Sequence, residues 1–109
     1  MPFEVFLTND AVRDLEELYQ YIALHDNPGK AQNVLNRIEK TFNSLAQSPK
    51  RGAYPKELLA LGIRGYREIF FKPYRFIYKI INNKVYVLLI VDGRRDMQSL
   101  LQRRLLEKE

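Results

Sequence analysis

The feature that most constrains the fold is the stretch from residue 65 to 96, which contains three runs of β-branched and aromatic residues. The runs are separated by Lys72-Pro73 and by Asn82-Asn83. Both breaks suit turns, because proline lacks a ladder N–H and presets a turn φ, while asparagine tolerates the positive φ of a two-residue hairpin. The stretch therefore predicts a three-stranded antiparallel meander.

The middle run alternates with a period of two, so its side chains divide between two faces of the sheet. One face carries Tyr74, Phe76, Tyr78 and Ile80, and the other carries Arg75, Ile77, Lys79 and Ile81. The first face has no charge and is expected to form the core. The second face, together with Arg67 and the Arg94-Arg95 pair, is expected to be the functional one. Its apolar strip of Ile69, Ile77 and Ile81 should be covered by the last helix or by a second protein.

The rest of the chain predicts helices placed around this meander. Residues 3–7 alternate as a short strand, and Thr8 begins a helix with an apolar stripe that ends near His25. Asn27-Pro28 begins a second helix, which stops before Pro49, and a short last helix follows the meander. The predicted fold class is α+β, with the order β-α-α-β-β-β and a short C-terminal helix, in one domain spanning 1–109. The antiparallel helical hairpin is expected to pack on one face of a largely antiparallel sheet, and the segment near 50–65 is expected to be a long loop.

Composition narrows the possible functions. The chain has no cysteine and one histidine, so neither a metal site nor a cofactor is expected. No apolar run has the length of a membrane span, and we expect a cytoplasmic protein. The net charge is +5, but residues 1–49 carry −3 and residues 50–104 carry +9. This asymmetry favours a polyanion or an acidic protein partner at the sheet.

The residues alone leave two kinds of chemistry open on the basic face. Arginines beside aromatic rings can contact phosphates and unpaired bases, or they can bind an acidic protein. Cleavage of a phosphodiester would also need a group that accepts a proton. Glu68 is the best carboxylate for that role, although a strand glutamate beside an arginine commonly forms a cross-strand ion pair. Tyr66 and Tyr78 are further proton carriers to consider, and both are typical core residues.

One combination of motifs resembles a known superfamily. It joins the strand and helical hairpin to Tyr66-Arg67-Glu68, to Pro73-Tyr74-Arg75-Phe76-Ile77-Tyr78 and to Gly93-Arg94-Arg95-Asp96. Over nearly the whole chain it resembles the RelE/ParE superfamily, the toxin halves of bacterial type II toxin–antitoxin modules. The resemblance implies a cognate antitoxin, expected to be acidic and encoded adjacently, that wraps the sheet and hairpin.

The two branches of this superfamily imply different activities. A ParE-like toxin would inhibit DNA gyrase through protein contacts, and the Leu/Arg-rich C-terminal end is closer to this branch. A RelE-like toxin would be a ribosome-dependent mRNA endoribonuclease, with Arg67, Arg75, Arg95 and Glu68 as its catalytic candidates. The family's C-terminal proton carrier would then fall near Leu100 or Leu101, which cannot titrate. A degenerate member that only binds antitoxin is the third alternative. The candidate contact residues for target or antitoxin are Arg67, Arg75, Ile77, Lys79, Arg94 and Arg95.

Overall fold

A computed structural model describes residues 2–106 of the chain. Within these residues, four strands and three helices follow one another in the predicted order, and one additional short helix, the third of four, lies before the second strand. They are β1 (Glu4–Leu7), α1 (Asn9–His25), α2 (Pro28–Asn43), α3 (Lys56–Leu59), β2 (Arg67–Phe71), β3 (Tyr74–Ile81), β4 (Lys84–Asp92) and α4 (Met97–Leu101). A π-helical turn, Gln102–Leu106, continues α4. The α+β fold class predicted from the sequence is confirmed.

The sheet has the strand order β1-β4-β3-β2. The three later strands form the predicted antiparallel meander, and β1 pairs in parallel with the first half of β4. Asn82 has a φ of 57° in the β3–β4 hairpin, which confirms the reason given for an asparagine at that turn. The register shifts once between Ile77 and Tyr78, which leaves Leu88 of β4 without a partner in β3.

The two long helices pack on one face of the sheet, as the hairpin prediction requires. Thr8 Oγ1 accepts a hydrogen bond from the Ala11 N–H at 3.2 Å, and Asn27 Oδ1 accepts one from the Lys30 N–H at 2.7 Å. Both predicted helix starts are therefore capped by the expected side chains. The core between helices and sheet contains Ala11, Ile38, Phe42, Leu45, Ile69, Phe76, Tyr78, Val85, Val87 and Ile90.

The opposite face of the sheet carries a second apolar cluster. It contains Leu58, Ile77, Leu89, Val91, Met97, Leu100, Leu101 and Leu105. The last helix covers Ile77. The sequence predicted that either this helix or a second protein would cover that strip. The predicted strip is wrong in one member, because Ile69 pairs with Phe76 and lies on the helical side. Ile81 remains 44% exposed.

The segment between α2 and β2 has more structure than predicted. It contains two short 3-10 turns, Ser44–Ala46 and Pro49–Arg51, and then α3. Leu58 of α3 is buried in the second cluster, which fixes the segment against the sheet and α4. Within residues 2–106, no helix has the length and apolar character needed to cross a membrane.

Candidate interaction surface

Arg75 is the predicted functional residue whose position differs most from the expectation. Its guanidinium donates two hydrogen bonds of 2.8 Å to the carboxylate of Glu57. Its Nε–H donates to Glu68 Oε1, also at 2.8 Å. The Arg75 residue is only 7% exposed. The prediction that Arg75 belongs to an exposed cationic face is therefore wrong, because α3 brings a second carboxylate over it.

The charges of this buried network change the pKa values of its members in different directions. Hydrogen bonds from Arg75 lower the pKa of Glu57. Burial raises the pKa of Glu68, an effect that its hydrogen bond from Arg75 only partly offsets. Hydrogen bonds to Glu57 and Glu68 raise the pKa of Arg75 above its ordinary value. One arginine thus faces two carboxylates, and the group is held together by charge-assisted hydrogen bonds.

Gly93 makes room for the Arg75 side chain. A Cβ at this position would lie 2.6 Å from Cδ of Arg75 and 2.7 Å from its Cγ. A side chain there would therefore displace the stem of the buried arginine. The glycine of the Gly93-Arg94-Arg95-Asp96 motif is thus explained by packing against Arg75.

Arg67 is also occupied, in this case by backbone carbonyl groups of the loop. Its Nη1 donates to the carbonyl oxygens of Gly52 at 2.8 Å and Lys50 at 3.2 Å. The guanidinium carbon lies 4.9 Å from the centre of the Tyr54 ring, which is a cation–π contact. Arg67 therefore fastens the loop to β2 while keeping part of its surface accessible.

The Tyr78 hydroxyl is a second fastening of the same loop. It donates to the Pro49 carbonyl oxygen at 2.6 Å and accepts from the Gly52 N–H at 3.1 Å. Tyr78 is fully buried, and burial raises the pKa of its hydroxyl. Both hydrogen-bonding functions of this hydroxyl are used inside the fold. Tyr66 lies elsewhere, with Lys79 Nζ 5.8 Å from its ring centre.

The accessible cations lie at the end of β4. Arg94 is exposed and pairs with the Asp92 carboxylate, whose pKa these hydrogen bonds lower. Arg95 is exposed, and within residues 2–106 its guanidinium has no hydrogen-bond or ion-pair partner. Together with the partly accessible Lys79 and Arg67, these residues are what remains of the predicted basic surface. Ile77 is fully buried, so it is not a contact residue in this conformation.

A groove of about 520 Å³ lies beside Arg94 and Arg95, between α1 and the second half of β4. Its apolar wall includes Leu18 and Ile22 of α1. The exposed Tyr21 lies at the same groove, and the neighbouring Leu24 of α1 is 82% exposed. A volume of this size is in the range of ligand-binding clefts in general. The sequence prediction did not include this groove.

Asp14, which lines this groove, joins distant parts of the chain in a clamp with Arg104 and the second half of β4. Asp14 Oδ2 accepts the Ile90 N–H at 3.0 Å, and the Arg104 guanidinium donates to both carboxylate oxygens of Asp14. Arg104 also donates to the Leu88 carbonyl at 2.7 Å. Sequence reasoning missed this clamp. The sequence contained one indication of this clamp. Asp14 lies at helical spacing between Ala11 and Leu18, on the side of α1 that is otherwise apolar.

The residues proposed for nuclease chemistry do not form an accessible catalytic set. Glu68 is 7% exposed and bound to Arg75, and Leu100 and Leu101 are buried in the second cluster. The histidine, His25, is the exposed last residue of α1, and its Nδ1 is 2.9 Å from the Tyr21 carbonyl oxygen. No pair of a free general base and a free arginine is brought together among these candidates.

These elements define a RelE/ParE-type toxin fold. It consists of a short parallel edge strand, a helical hairpin, a three-stranded meander and a C-terminal helix on the open sheet face. Toxin ParE3 from Caulobacter vibrioides is 28% identical over 97 residues, which cover 89% of this chain and 93% of that protein. The family model described as the ParE toxin of the type II toxin–antitoxin system, parDE, matches residues 5–97. This chain belongs to the ParE toxin family.

Solved structures share the same fold. The chromosomal ParDE system from P. aeruginosa matches with a TM-score of 0.70 and 20% identity, covering 83% of this chain and 95% of that one. The RelBE2 toxin–antitoxin complex from Mycobacterium tuberculosis matches with a TM-score of 0.63 and 22% identity, covering 84% and 99%. A RelE toxin mutant from E. coli in the free state matches with a TM-score of 0.64 and 16% identity, covering 97% and 100%.

Proposed function

We propose that this toxin acts in the cytoplasm by binding DNA gyrase, inhibits growth through that contact, and is neutralised by a cognate antitoxin. The observation that carries the proposal is that two of the four nuclease candidates, Arg75 and Glu68, are buried and bound to each other. Arg75 and Glu68 neutralise each other inside the fold, whereas Arg94 and Arg95 lie on the surface at the end of β4. Surface arginines suit a protein-binding role, because arginine is enriched at interfaces.

An antitoxin is the partner that the family membership and the charge distribution both support. Two of the structural relatives come from a ParDE toxin–antitoxin system and a RelBE2 toxin–antitoxin complex. The +9 balance of residues 50–104 would attract an acidic polypeptide. Co-expression of the small reading frame adjacent to this gene should restore growth, and the two proteins should copurify.

The target can be tested with purified components and one matched pair of variants. The wild-type chain should inhibit supercoiling by DNA gyrase and leave mRNA on programmed ribosomes intact. Arg95→Ala should weaken gyrase inhibition at least tenfold, because it removes an exposed arginine at the end of β4 whose guanidinium has no partner within residues 2–106. Arg37→Ala, on the exposed side of α2, is the control and should retain full inhibition.

Two other outcomes would replace the proposal. Cut mRNA with unaffected gyrase would assign the chain to the RelE-like nuclease alternative. Normal growth on induction, with the folded protein present and no effect on either target, would identify a degenerate member that only binds antitoxin. Equal gyrase inhibition by Arg95→Ala and wild type would move the contact away from the end of β4.

A further inference from the structure

The second half of β4 has an outer edge that no strand covers. β1 is four residues long and pairs with β4 only from Lys84 to Val87. Beyond Val87 the outer edge of β4 faces the groove beside α1. Side chains already occupy the first backbone groups of this edge, since Arg104 binds the Leu88 carbonyl and Asp14 binds the Ile90 N–H.

The pairing of β4 with β3 identifies which further groups point outward. The Gly93 N–H donates to the Pro73 carbonyl at 2.8 Å, and the Ile90 N–H points to Asp14. In an antiparallel ladder, outward and inward residues alternate, so Ile90 and Asp92 both direct their N–H and C=O groups away from β3. The Asp92 carbonyl accepts the Arg95 N–H at 3.2 Å. Within the described chain, the Ile90 carbonyl and the Asp92 N–H are left as the open acceptor and donor.

We propose that an extended segment of a protein partner adds to this edge parallel to β4, with one residue opposite Val91. In a parallel ladder, each bonded residue lies opposite one residue and binds the two neighbours of that residue. The partner residue opposite Val91 would donate its N–H to the Ile90 carbonyl and accept the Asp92 N–H with its own carbonyl. That pattern uses the Ile90 carbonyl and the Asp92 N–H and leaves no group unpaired. An antiparallel segment would direct one carbonyl at the occupied Ile90 N–H and one N–H at the occupied Asp92 carbonyl.

The groove also indicates which side chains the segment carries. Residues on either side of the one opposite Val91 point to the same face as Ile90 and Asp92, which is the groove side. The preceding residue meets the apolar wall of Leu18 and Ile22, and the following residue lies near Arg95. The segment is therefore expected to contain three consecutive residues in this order: an apolar residue, a residue of any type, and an aspartate or glutamate.

The occupant is a segment of the antitoxin, so this inference rests on the proposed function. Charge complementarity supports an acidic residue, because Arg95 has no partner within residues 2–106 and Asp92 already binds Arg94. Addition of an extended segment to a sheet edge is a general mode of peptide recognition in which main-chain hydrogen bonds supply affinity.

A pair of substitutions isolates the proposed backbone hydrogen bond. The probe is the antitoxin encoded beside this gene, titrated onto the full-length toxin. Asp92→Pro removes the N–H and the carboxylate, and Asp92→Ala removes the carboxylate alone. Proline is tolerated on an uncovered edge. Asp92→Pro should bind the antitoxin about tenfold more weakly than Asp92→Ala, the effect of one lost hydrogen bond with an unpaired acceptor. Equal affinities of the two folded variants would overturn the inference.

A measurement on the wild-type protein covers the case in which Asp92→Pro does not fold. Hydrogen exchange followed by NMR should show the Asp92 amide at least tenfold more protected in the antitoxin complex than in free toxin. The Val91 amide, which points to β3, should change little. Exchange at Asp92 that is the same in both states, or interstrand contacts of the antiparallel type, would refute the assigned pairing. Failure of wild-type toxin to bind the antitoxin at all would instead refute the proposed function.

Discussion

Replacement of Arg75 by methionine is the strongest test of the buried network. Methionine keeps a flexible apolar stem, so the variant removes the charge while limiting the cavity. It leaves Glu68, 8% exposed at its side chain, and Glu57, 13% exposed, without their common partner. Removal of one member of a buried ion pair typically costs about 3–5 kcal/mol. We expect Arg75→Met to lower the free energy of unfolding at pH 7 by about that amount, in the lower half of the range because Glu57 is less buried.

The pH dependence separates this electrostatic cost from a packing defect. In the wild type, Arg75 lowers the pKa of Glu57 below its ordinary value of 4.5, so this contribution to stability is present above that value and is lost as pH falls through the folded-state pKa. In the variant, burial without a cation raises the pKa of both carboxyl groups. Above these raised pKa values both carboxyl groups are charged and destabilise the folded state. Below them the groups are protonated, and this destabilisation is lost. The difference between wild type and variant should therefore shrink as the pH is lowered from 7 to about 4, near the ordinary carboxyl pKa.

The assay is urea unfolding followed by circular dichroism at pH 7 and pH 4. Arg94→Met is the matched control, because it breaks an ion pair in which the arginine is 79% exposed, and its urea midpoint should match the wild type. Arg75→Met with an unchanged urea midpoint at pH 7 would refute the account. A deficit of equal size at both pH values would assign the cost to packing instead of charge.

Three further predictions concern the loop and the clamp. Tyr78→Phe leaves two buried loop groups without their hydroxyl partner and should reduce the free energy of unfolding by about 1–3 kcal/mol in urea titrations. Gly52→Ala would place Cβ 2.4 Å from the Tyr78 hydroxyl oxygen and should lower the thermal midpoint, whereas Gly65→Ala, with open space around it, should not; equal midpoints would contradict the close contact. Arg104→Met removes the partner of buried Asp14 and should accelerate amide exchange in the second half of β4, and unchanged exchange would show that the clamp does not stabilise that edge.

The sequence predicted the fold well because the fold follows local signals. The Thr8 cap, the Asn27-Pro28 helix start and the Asn82 turn act over a few residues, and each is present in the structure. The alternation of β3 also identified the helix-facing core, including Phe76. β4 lies between β1 and β3 in the sheet order, and the apolar cluster on each face explains its nearly continuous apolar run.

The candidate site was less predictable because its decisive contacts span long sequence distances. Glu57 and Arg75 are 18 residues apart, and Asp14 and Arg104 are 90 residues apart. Alternation places Arg75 on the correct face of the sheet, but it gives no information about what covers that face. A charge in a strand was interpreted as exposure, whereas a carboxylate from an unpredicted short helix made its burial possible. The exposure of Arg94 and Arg95 agrees with the expectation because they follow the last strand.

The fastening of the loop has a consequence for how this toxin can vary. Tyr78 and Arg67 hold the segment from Pro49 to Gly52 through main-chain oxygen and nitrogen atoms, not through its side chains. Every amino acid supplies a carbonyl oxygen, so residues such as Lys50 can be exchanged without loosening the attachment. Mutational drift could therefore reshape the outer surface of this segment while the two strand residues keep its path unchanged. Variants selected for a new binding preference would be expected to accumulate substitutions at the exposed Lys50 and Arg51 and to spare Gly52 and Tyr78.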